Sequence, residues 1–209
     1  MEQHLERHGF AHIAGVDEAG RGACCGPVTI AACVLPLVPI PELAALTDSK
    51  KLSPGRREKL FDIIVDKAVD FTVVHIGAAE IDARGIQHAN LSGMRRALAR
   101  LDQPVSYVLS DAMKIPGLTV PHLPIIGGDA AARCISAASV LAKVSRDRLM
   151  VELDDEYPGY GLAKHKGYGT AAHREAIAQL GASKHHRHSY ANVAAAHAEW
   201  QRRVDTFGS

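Results

Sequence analysis

Two adjacent carboxylates stand in the stretch GVDEAGRGACCGPV, residues 15–28. Asp17 and Glu18 come directly before a Gly-Arg-Gly turn, where a phosphate-binding loop would usually avoid negative charge. Two neighbouring carboxylates repel each other unless a hard cation such as Mg²⁺ or Mn²⁺ lies between them. Consecutive strand residues face opposite sides, so both acids can bind one ion only if the chain bends after Asp17, as Gly20 and Gly22 permit. The pair therefore indicates a divalent metal site.

A third acid, Asp147, interrupts an apolar helical stripe. With helical spacing it shares a face with three valines: Val140, Val144 and Val151. A carboxylate buried on such a face needs a partner. That partner is either a metal ion at a catalytic site or one of three nearby cations: Lys143, Arg146 and Arg148. Both interpretations of Asp147 stay open from periodicity alone.

Asp111 ends the apolar run at residues 107–109, at a strand terminus where α/β proteins tend to place chemistry. The same residue could also be a simple strand-end cap. Together the candidate acids are Asp17, Glu18, Asp111 and Asp147. They come from strand ends and one helix, as a metal-dependent site for phosphodiester cleavage requires.

The elements that must position these acids follow from local patterns. Short β-branched runs bounded by Gly and Pro predict strands over residues 11–17, 28–35, 71–78, 106–110 and 122–126. Helices are predicted from Pro54, with Ser53 as N-cap, and over residues 90–101, 130–156, 171–180 and 191–205. We expect one α/β domain over residues 1–209, with a mixed central sheet flanked by helices and a helical C-terminal portion.

The charge balance excludes a strong overall field, because 24 Lys and Arg oppose 23 Asp and Glu. A basic surface must be local, and residues 164–188 are the candidate. This segment contains one acidic residue, Glu175, and five basic ones: Lys164, Lys166, Arg174, Lys184 and Arg187. The segment is either a patch that faces phosphates or an ordinary solvated loop.

Two other classes of site are less well supported by the sequence. A dinucleotide-binding fingerprint fails because Cys25 occupies its third glycine position and a strand follows. A zinc site at His185, His186 and His188 lacks a second well-spaced ligand pair. The four cysteines form no C-x-x-C pair, which favours reduced thiols, and no apolar run approaches the roughly 20 residues of a membrane span. We therefore expect a cytoplasmic protein without a membrane segment. The sequence leaves the oligomeric state open, and a monomer is the default expectation.

Five motifs, in this order along residues 15–190, resemble the ribonuclease HII family, the bacterial type 2 ribonucleases H. They are DEAGRGACCGPV, LTDSKKLSPGRREKLF, LSDAM, ISAASVLAKVSRDRLM and YGLAKHKGYGTAAH. The resemblance implies a ribonuclease H-like fold. It also implies an endonuclease that hydrolyses the RNA strand of RNA–DNA hybrids and cuts on the 5′ side of ribonucleotides embedded in duplex DNA, leaving 3′-hydroxyl and 5′-phosphate ends.

The resemblance also implies residue roles. The metal-binding acids of the family fall on Asp17, Glu18, Asp111 and Asp147, with Mg²⁺ or Mn²⁺ as cofactor. Substrate binding falls on Gly20, Arg21 and Gly22, whose backbone would recognise the 2′-hydroxyl, and on Tyr168, which would pack on that sugar. Lys50, with Lys51, is either a contact for substrate phosphates or part of an ordinary surface lysine pair before a helix. The 2′-hydroxyl is what distinguishes RNA from DNA at a given site.

The chain departs from the usual family pattern at three places. Ala112 and Met113 follow Asp111, where a Gly-Asn pair is common; Gly127 stands where lysine is frequent; and Ala182 replaces proline. The alternative function is a catalytically inactive nucleic-acid-binding module, which basic loops alone would also suggest. A contact with a replication clamp is not decided by the sequence.

Overall fold

The computed structural model describes residues 1–44, 46 and 52–207. The strands are β1 Ile13–Ala19, β2 Val28–Val34, β3 Asp70–Ile76, β4 Tyr107–Asp111 and β5 His122–Ile125. The helices are α1 Glu2–Arg7, α2 Pro54–Lys67, α3 Ala78–Arg84, α4 Ile86–Ala99, α5 Gly128–Ala131, α6 Arg133–Glu156, α7 Leu162–His165, α8 Ala171–Leu180 and α9 Ala191–Phe207. A short 3-10 helix covers Pro41–Leu43.

The strands form one mixed sheet in the order β3-β2-β1-β4-β5. β1 pairs antiparallel with β2 and parallel with β4, and β4 pairs parallel with β5. The mixed sheet and its flanking helices confirm the predicted fold class. Because β1, β4 and β5 run in the same direction, their carboxyl ends lie at one edge of the sheet, where α/β proteins bind ligands.

The local sequence signals located most elements within a few residues. Ser53 caps α2 by accepting a hydrogen bond from the Arg56 N–H, as its position before Pro54 predicts. The helix predicted over residues 130–156 is broken at Ala132, which has extended backbone angles and separates α5 from α6. Three short helices, α1, α3 and α7, were not predicted, because so few residues carry little periodic signal.

The chain divides into two compact units, so the single-domain organisation stays a prediction. The first unit comprises Met1–Ala19, Thr29–His75 and Asn90–Ser145. Its largest apolar cluster packs residues of β1 and β2 against α2 and α6; among its fully buried members are Ala31, Cys33, Ile64, Ala138 and Leu141. This core holds the carboxyl end of β1 in place.

The second unit comprises Gly20–Val28, Ile76–Ala89 and Arg146–Ser209. Its core joins the cysteine pair Cys24 and Cys25 to the end of α6 and to α8 and α9, with Met150, Ile177 and Val193 fully buried. All four cysteines are free and buried, in agreement with reduced thiols. Among the described helices, none combines the length and the hydrophobicity needed to cross a membrane.

Candidate active site

The first two candidate acids lie near the end of the central strand β1. Asp17 is only 5% exposed, whereas Glu18 is partly buried. The Asp17 Oδ1 accepts a hydrogen bond from the Glu18 N–H at 2.7 Å. Gly15, earlier on the same strand, lies so close to α6 that a Cβ atom there would be 2.1 Å from the carbonyl carbon of Cys134. The glycine therefore lets the strand approach the helix closely, which places Asp17 beneath it.

A cluster of three carboxylates forms where the parallel strands end. Ligand oxygens of Asp17, Asp111 and Asp129 all lie within 4.8 Å of one another. Asp111 ends β4 and its Oδ1 accepts a hydrogen bond from the Gly128 N–H of α5 at 2.8 Å. Asp129, on α5 directly after β5, is 5% exposed, and the Ser136 hydroxyl donates to its backbone carbonyl. These hard oxygen donors suit Mg²⁺ or Mn²⁺.

Asp129 was not among the acids selected from the sequence. It precedes the helix predicted to begin at residue 130, so it could be interpreted as an ordinary N-cap. The usable signal was its position just after a strand that is parallel to β4. Pairing of β4 with β5 places Asp111 opposite Ile125, and this register brings the following Asp129 to the same edge of the sheet.

The electrostatics of Asp17 also favour a cation. Its pKa is raised to about 8, chiefly by burial and also by the charge of Glu18 and, more weakly, of Asp111, while hydrogen bonds from Ser139 and the Glu18 N–H oppose the shift. Without a cation the buried carboxyl is therefore neutral near pH 7. A divalent ion among the three acids would supply the missing positive charge and favour the ionised form.

This shift predicts that Asp17→Asn stabilises the protein in EDTA. The carboxyl ionises at its ordinary pKa of 3.8 when unfolded but at about 8 when folded. Between those pH values folding requires proton uptake, so the unfolding free energy of the wild type falls as pH rises. At pH 7.5 these two pKa values correspond to at most about 5 kcal/mol, and we expect the variant to be more stable by at least about 2 kcal/mol, or about 4–8 °C in Tm.

The measurement is a thermal melt in EDTA at pH 5 and pH 7.5. The advantage of the variant should shrink at the lower pH. Exposed Asp155 provides the control Asp155→Asn, which should melt like the wild type at both pH values. Equal Tm values for Asp17→Asn and the wild type at both pH values would contradict the prediction.

Asp147 lies on the part of α6 that belongs to the second unit. Its side chain is partly buried, and the apolar stripe ends there, since Val151 is 42% exposed while Val140 and Val144 are buried. The expectation of a carboxylate on a continuous buried face is therefore wrong. Burial lowers the pKa of the neighbouring Arg146 guanidinium, and the charge of Asp147 partly opposes that shift. Its role as a metal ligand stays a prediction.

The predicted substrate-binding residues lie in the second unit, apart from Lys50, which is outside the described residues. We call residues 20–27 the glycine loop. Gly20 is buried with a φ of 82°, whereas Arg21 and Gly22 are exposed. A Cβ atom on Gly22 would meet no described atom within 4 Å. Tyr168 is 42% exposed, as an aromatic ring that packs on a ligand requires.

The three departures from the family pattern have local consequences. Ala112 adopts a left-handed φ of 52°, a conformation that glycine adopts without strain. Gly127 has a φ of 68° and precedes α5 as its N-cap residue. The Ala182 N–H donates to His197 Nδ1 at 3.0 Å, a hydrogen bond that proline could not make.

The predicted basic patch is smaller than its sequence suggests. Lys164, Arg174 and Lys184 are exposed, but Arg187 is completely buried. Its inclusion in a surface patch is wrong, because its guanidinium donates to backbone carbonyls of the glycine loop. Composition counts charges but does not show which of them the fold has enclosed.

A second group of possible ligands consists of Cys25, His173 and His186, with ligand atoms within 4.8 Å of one another. In the described chain, His186 is thus grouped with these residues and not with His185 and His188. Burial raises the pKa of Cys25 to about 12 and lowers the pKa of His173 to about 4 and of His186 to about 3. The group is therefore neutral at pH 7.

Hydrogen bonds already occupy the two imidazoles. The Ser183 N–H donates to His186 Nδ1 at 3.0 Å, so the His186 proton is on Nε2. Nε2 of His186 lies 3.0 Å from Nε2 of His173, whose Nδ1 in turn donates to the Tyr168 carbonyl. This relay uses both imidazole lone pairs, so we interpret the group as a polar core that holds the backbone at Tyr168 and not as a metal centre.

A mixed sheet with clustered carboxylates at the ends of adjacent strands is typical of metal-dependent hydrolases of the ribonuclease H-like fold. Comparisons with known proteins agree. The protein-family model described as Ribonuclease HII matches residues 14–193 of this chain. A curated relative named Ribonuclease HII, from Corynebacterium jeikeium, is 60% identical over 206 residues, which cover 98% of this chain and 99% of the relative. The chain belongs to the ribonuclease HII family and is a metal-dependent endoribonuclease.

Solved structures resemble the fold independently. A ribonuclease H2 from Pyrococcus horikoshii superposes with a TM-score of 0.79 at 27% identity, covering 91% of this chain and 99% of that one. Bst-RNase HIII in complex with Mn²⁺ gives a TM-score of 0.75 at 20% identity, covering 95% of this chain and 74% of that one. The second likeness concerns the fold alone.

Proposed function

We propose that this protein hydrolyses the RNA strand of RNA–DNA hybrids and also cuts on the 5′ side of single ribonucleotides in duplex DNA. The observation that carries the proposal is the cluster of Asp17, Asp111 and Asp129 in a chain of the ribonuclease HII family. The products would carry 3′-hydroxyl and 5′-phosphate ends. A protein that only bound nucleic acid would gain nothing from buried acids facing phosphates.

The cofactor we propose is a pair of Mg²⁺ or Mn²⁺ ions. When bound, such ions lower the pKa of an attacking water and stabilise the leaving oxygen. Asp17, Asp111 and Asp129 would hold them, with Glu18 on the next position of β1. Asp147, the fourth acid expected from the sequence, remains a candidate, but the structure makes Asp129 the better supported one. The Mn²⁺ complex of the structurally similar Bst-RNase HIII is consistent with this choice.

Selection of RNA would depend on the exposed part of the glycine loop and on Tyr168. Backbone N–H groups at Arg21 and Gly22 can donate to a 2′-hydroxyl, and the missing Cβ of Gly22 leaves room for the sugar. The half-exposed ring of Tyr168 can pack against the same ribose. Exposed Lys164, Arg174 and Lys184 would contact phosphates, and Lys50 would add another such contact.

The test uses end-labelled duplex DNA with one internal ribonucleotide, an all-DNA duplex and an RNA–DNA hybrid. We expect one cut immediately 5′ of the ribonucleotide and cleavage of the hybrid, both in Mg²⁺ or Mn²⁺ and neither in EDTA. The all-DNA duplex should give no product, because it lacks the 2′-hydroxyl. The Asp17→Asn variant should give no product from any substrate, because it lacks an essential metal ligand.

Product ends are read by ligation, which requires a 3′-hydroxyl and a 5′-phosphate. Intact substrates under every metal condition, from protein that melts cooperatively, would overturn the proposal. If that protein still bound the hybrid, the binding-module alternative would be favoured. Sedimentation of the same sample tests the predicted monomer.

A further inference from the structure

Two arginine side chains in the second unit are completely buried. Arg146 and Arg187 are the largest fully buried side chains in the described chain. Enclosing a guanidinium is costly unless its donors find acceptors. Burial lowers the pKa of Arg146, and the nearby charge of Arg187 lowers it further. The acceptors of these guanidinium hydrogen bonds therefore show which part of the structure the two buried arginines hold in place.

Arg187 donates to the carbonyls of the glycine loop. Its Nη2 lies 2.7 Å from the Gly20 oxygen and 3.1 Å from the Gly26 oxygen. Its Nη1 lies 2.8 Å from the Arg21 oxygen and 3.0 Å from the Tyr190 hydroxyl. Its Nε donates to Gly26 at 3.2 Å. One planar guanidinium thus holds both ends of the glycine loop.

Arg146 joins this loop to the turn that carries Tyr168. Its Nε and Nη2 donate to the carbonyls of Pro27 and Cys25, at 3.0 and 3.1 Å. Its Nη1 donates to the Lys166 carbonyl at 2.9 Å, and its guanidinium carbon lies 5.7 Å from the centre of the Tyr168 ring. A Cβ atom on Gly20 would overlap this arginine, at 1.8 Å from Nε.

These bonds determine where the amide groups of the glycine loop point. In a trans peptide the carbonyl and the N–H point in opposite directions. The Gly20 carbonyl faces Arg187, so the N–H of Arg21 points away from it. The Arg21 carbonyl also faces Arg187, so the N–H of Gly22 points away as well. Two consecutive donors are thereby presented on the exposed side of the loop.

We propose that Arg187, assisted by Arg146, is a positioning residue for ribose recognition: the buried guanidinium groups fix the glycine-loop carbonyls inward so that the Arg21 and Gly22 amides face the 2′-hydroxyl. The inference rests on the proposed function, since it concerns how the same site selects RNA. Neither arginine touches substrate. Both act through the backbone of the loop.

The deciding variant is Arg187→Lys, which keeps the charge but loses the planar fork of donors. The readout is a ratio of dissociation constants: that of the all-DNA duplex divided by that of the same duplex with one ribonucleotide. Both are measured in Ca²⁺, after a control incubation has verified that neither duplex is cleaved under those conditions. We expect the ratio to fall at least about fivefold, while binding of the all-DNA duplex changes less than about twofold.

The matched control is Tyr160→Phe, which removes the hydrogen bond from the Tyr160 hydroxyl to the Gly181 carbonyl, 2.7 Å long, in the same unit. It should lower Tm but leave the ratio unchanged, because reduced folding affects both duplexes equally. An unchanged ratio in folded Arg187→Lys overturns the inference. A ratio of one in the wild type overturns the proposed function instead.

If Arg187→Lys does not fold, Tyr190→Phe makes the same test. The Tyr190 hydroxyl accepts from Arg187 and donates to the Arg21 carbonyl at 3.3 Å, so its loss loosens the loop without removing the guanidinium. We then expect the ratio to fall about twofold at nearly constant Tm. A ratio equal to that of the wild type overturns the inference.

Discussion

Asp129→Asn is expected to lower the cleavage rate at least about 100-fold. It should also abolish the rise in Tm that we expect Mn²⁺ to cause in the wild type. The reason is geometric: the ligand oxygen of Asp129 lies within 4.8 Å of those of Asp17 and Asp111, and its side chain is buried. Loss of one carboxylate weakens binding of the cation. The variant therefore loses the several kcal/mol of charge stabilisation that a bound cation supplies.

The Asp147→Asn variant is measured in the same assays. The two variants then compare Asp147, the acid expected from the sequence, with Asp129, which the structure places in the carboxylate cluster. We expect the rate of Asp147→Asn to fall less than about tenfold, because Asp147 is partly exposed and lies near the Arg146 guanidinium. Exposed Asp155→Asn is the control and should behave like the wild type.

A comparable loss in both variants would keep Asp147 in the metal-binding set. Full activity and a normal Mn²⁺ response in Asp129→Asn would remove Asp129 from that set. The thermal shift with Mn²⁺ separates a lost ligand from a disturbed fold, because a merely destabilised protein still gains stability when the ion binds.

Gly15→Ala is expected to destabilise the protein by about 3 kcal/mol, which lowers Tm by about 6–12 °C. The new methyl would lie 2.1 Å from the carbonyl carbon of Cys134 and 2.3 Å from the backbone nitrogen of Ile135. Those atoms belong to the first turn of α6 and cannot rotate aside as a side chain could. Strand and helix would have to separate at the point that holds Asp17.

Gly22→Ala is the matched substitution in the same motif. A Cβ at Gly22 would meet no described atom within 4 Å, so its Tm should stay within about 2 °C of the wild type. Its activity on a single ribonucleotide should nevertheless fall at least about tenfold, because the methyl displaces the sugar from the loop. Similar Tm losses in the two variants would contradict this division into structural and functional glycines.

Short-range signals in the sequence were sufficient for most of the elements. Helix α8 has the predicted bounds, since Thr170 caps its first turn and Gly181 follows its last residue with a φ of 82°. The pair Asp17 and Glu18 identified β1 as a functional strand without any knowledge of the fold. Such signals depend on residues within one or two turns, which the sequence displays directly.

Long-range contacts decided what local patterns could not. Asp129 resembles a helix cap until the parallel pairing of β4 with β5 places it beside Asp111. Arg187 resembles a surface cation until its guanidinium meets carbonyls more than 160 positions earlier in the chain. The sequence by itself determined the fold class, the family and the first acids proposed for the site. Only the tertiary structure decided which acid joins them and which cations are enclosed, because strand order and burial depend on contacts between distant residues.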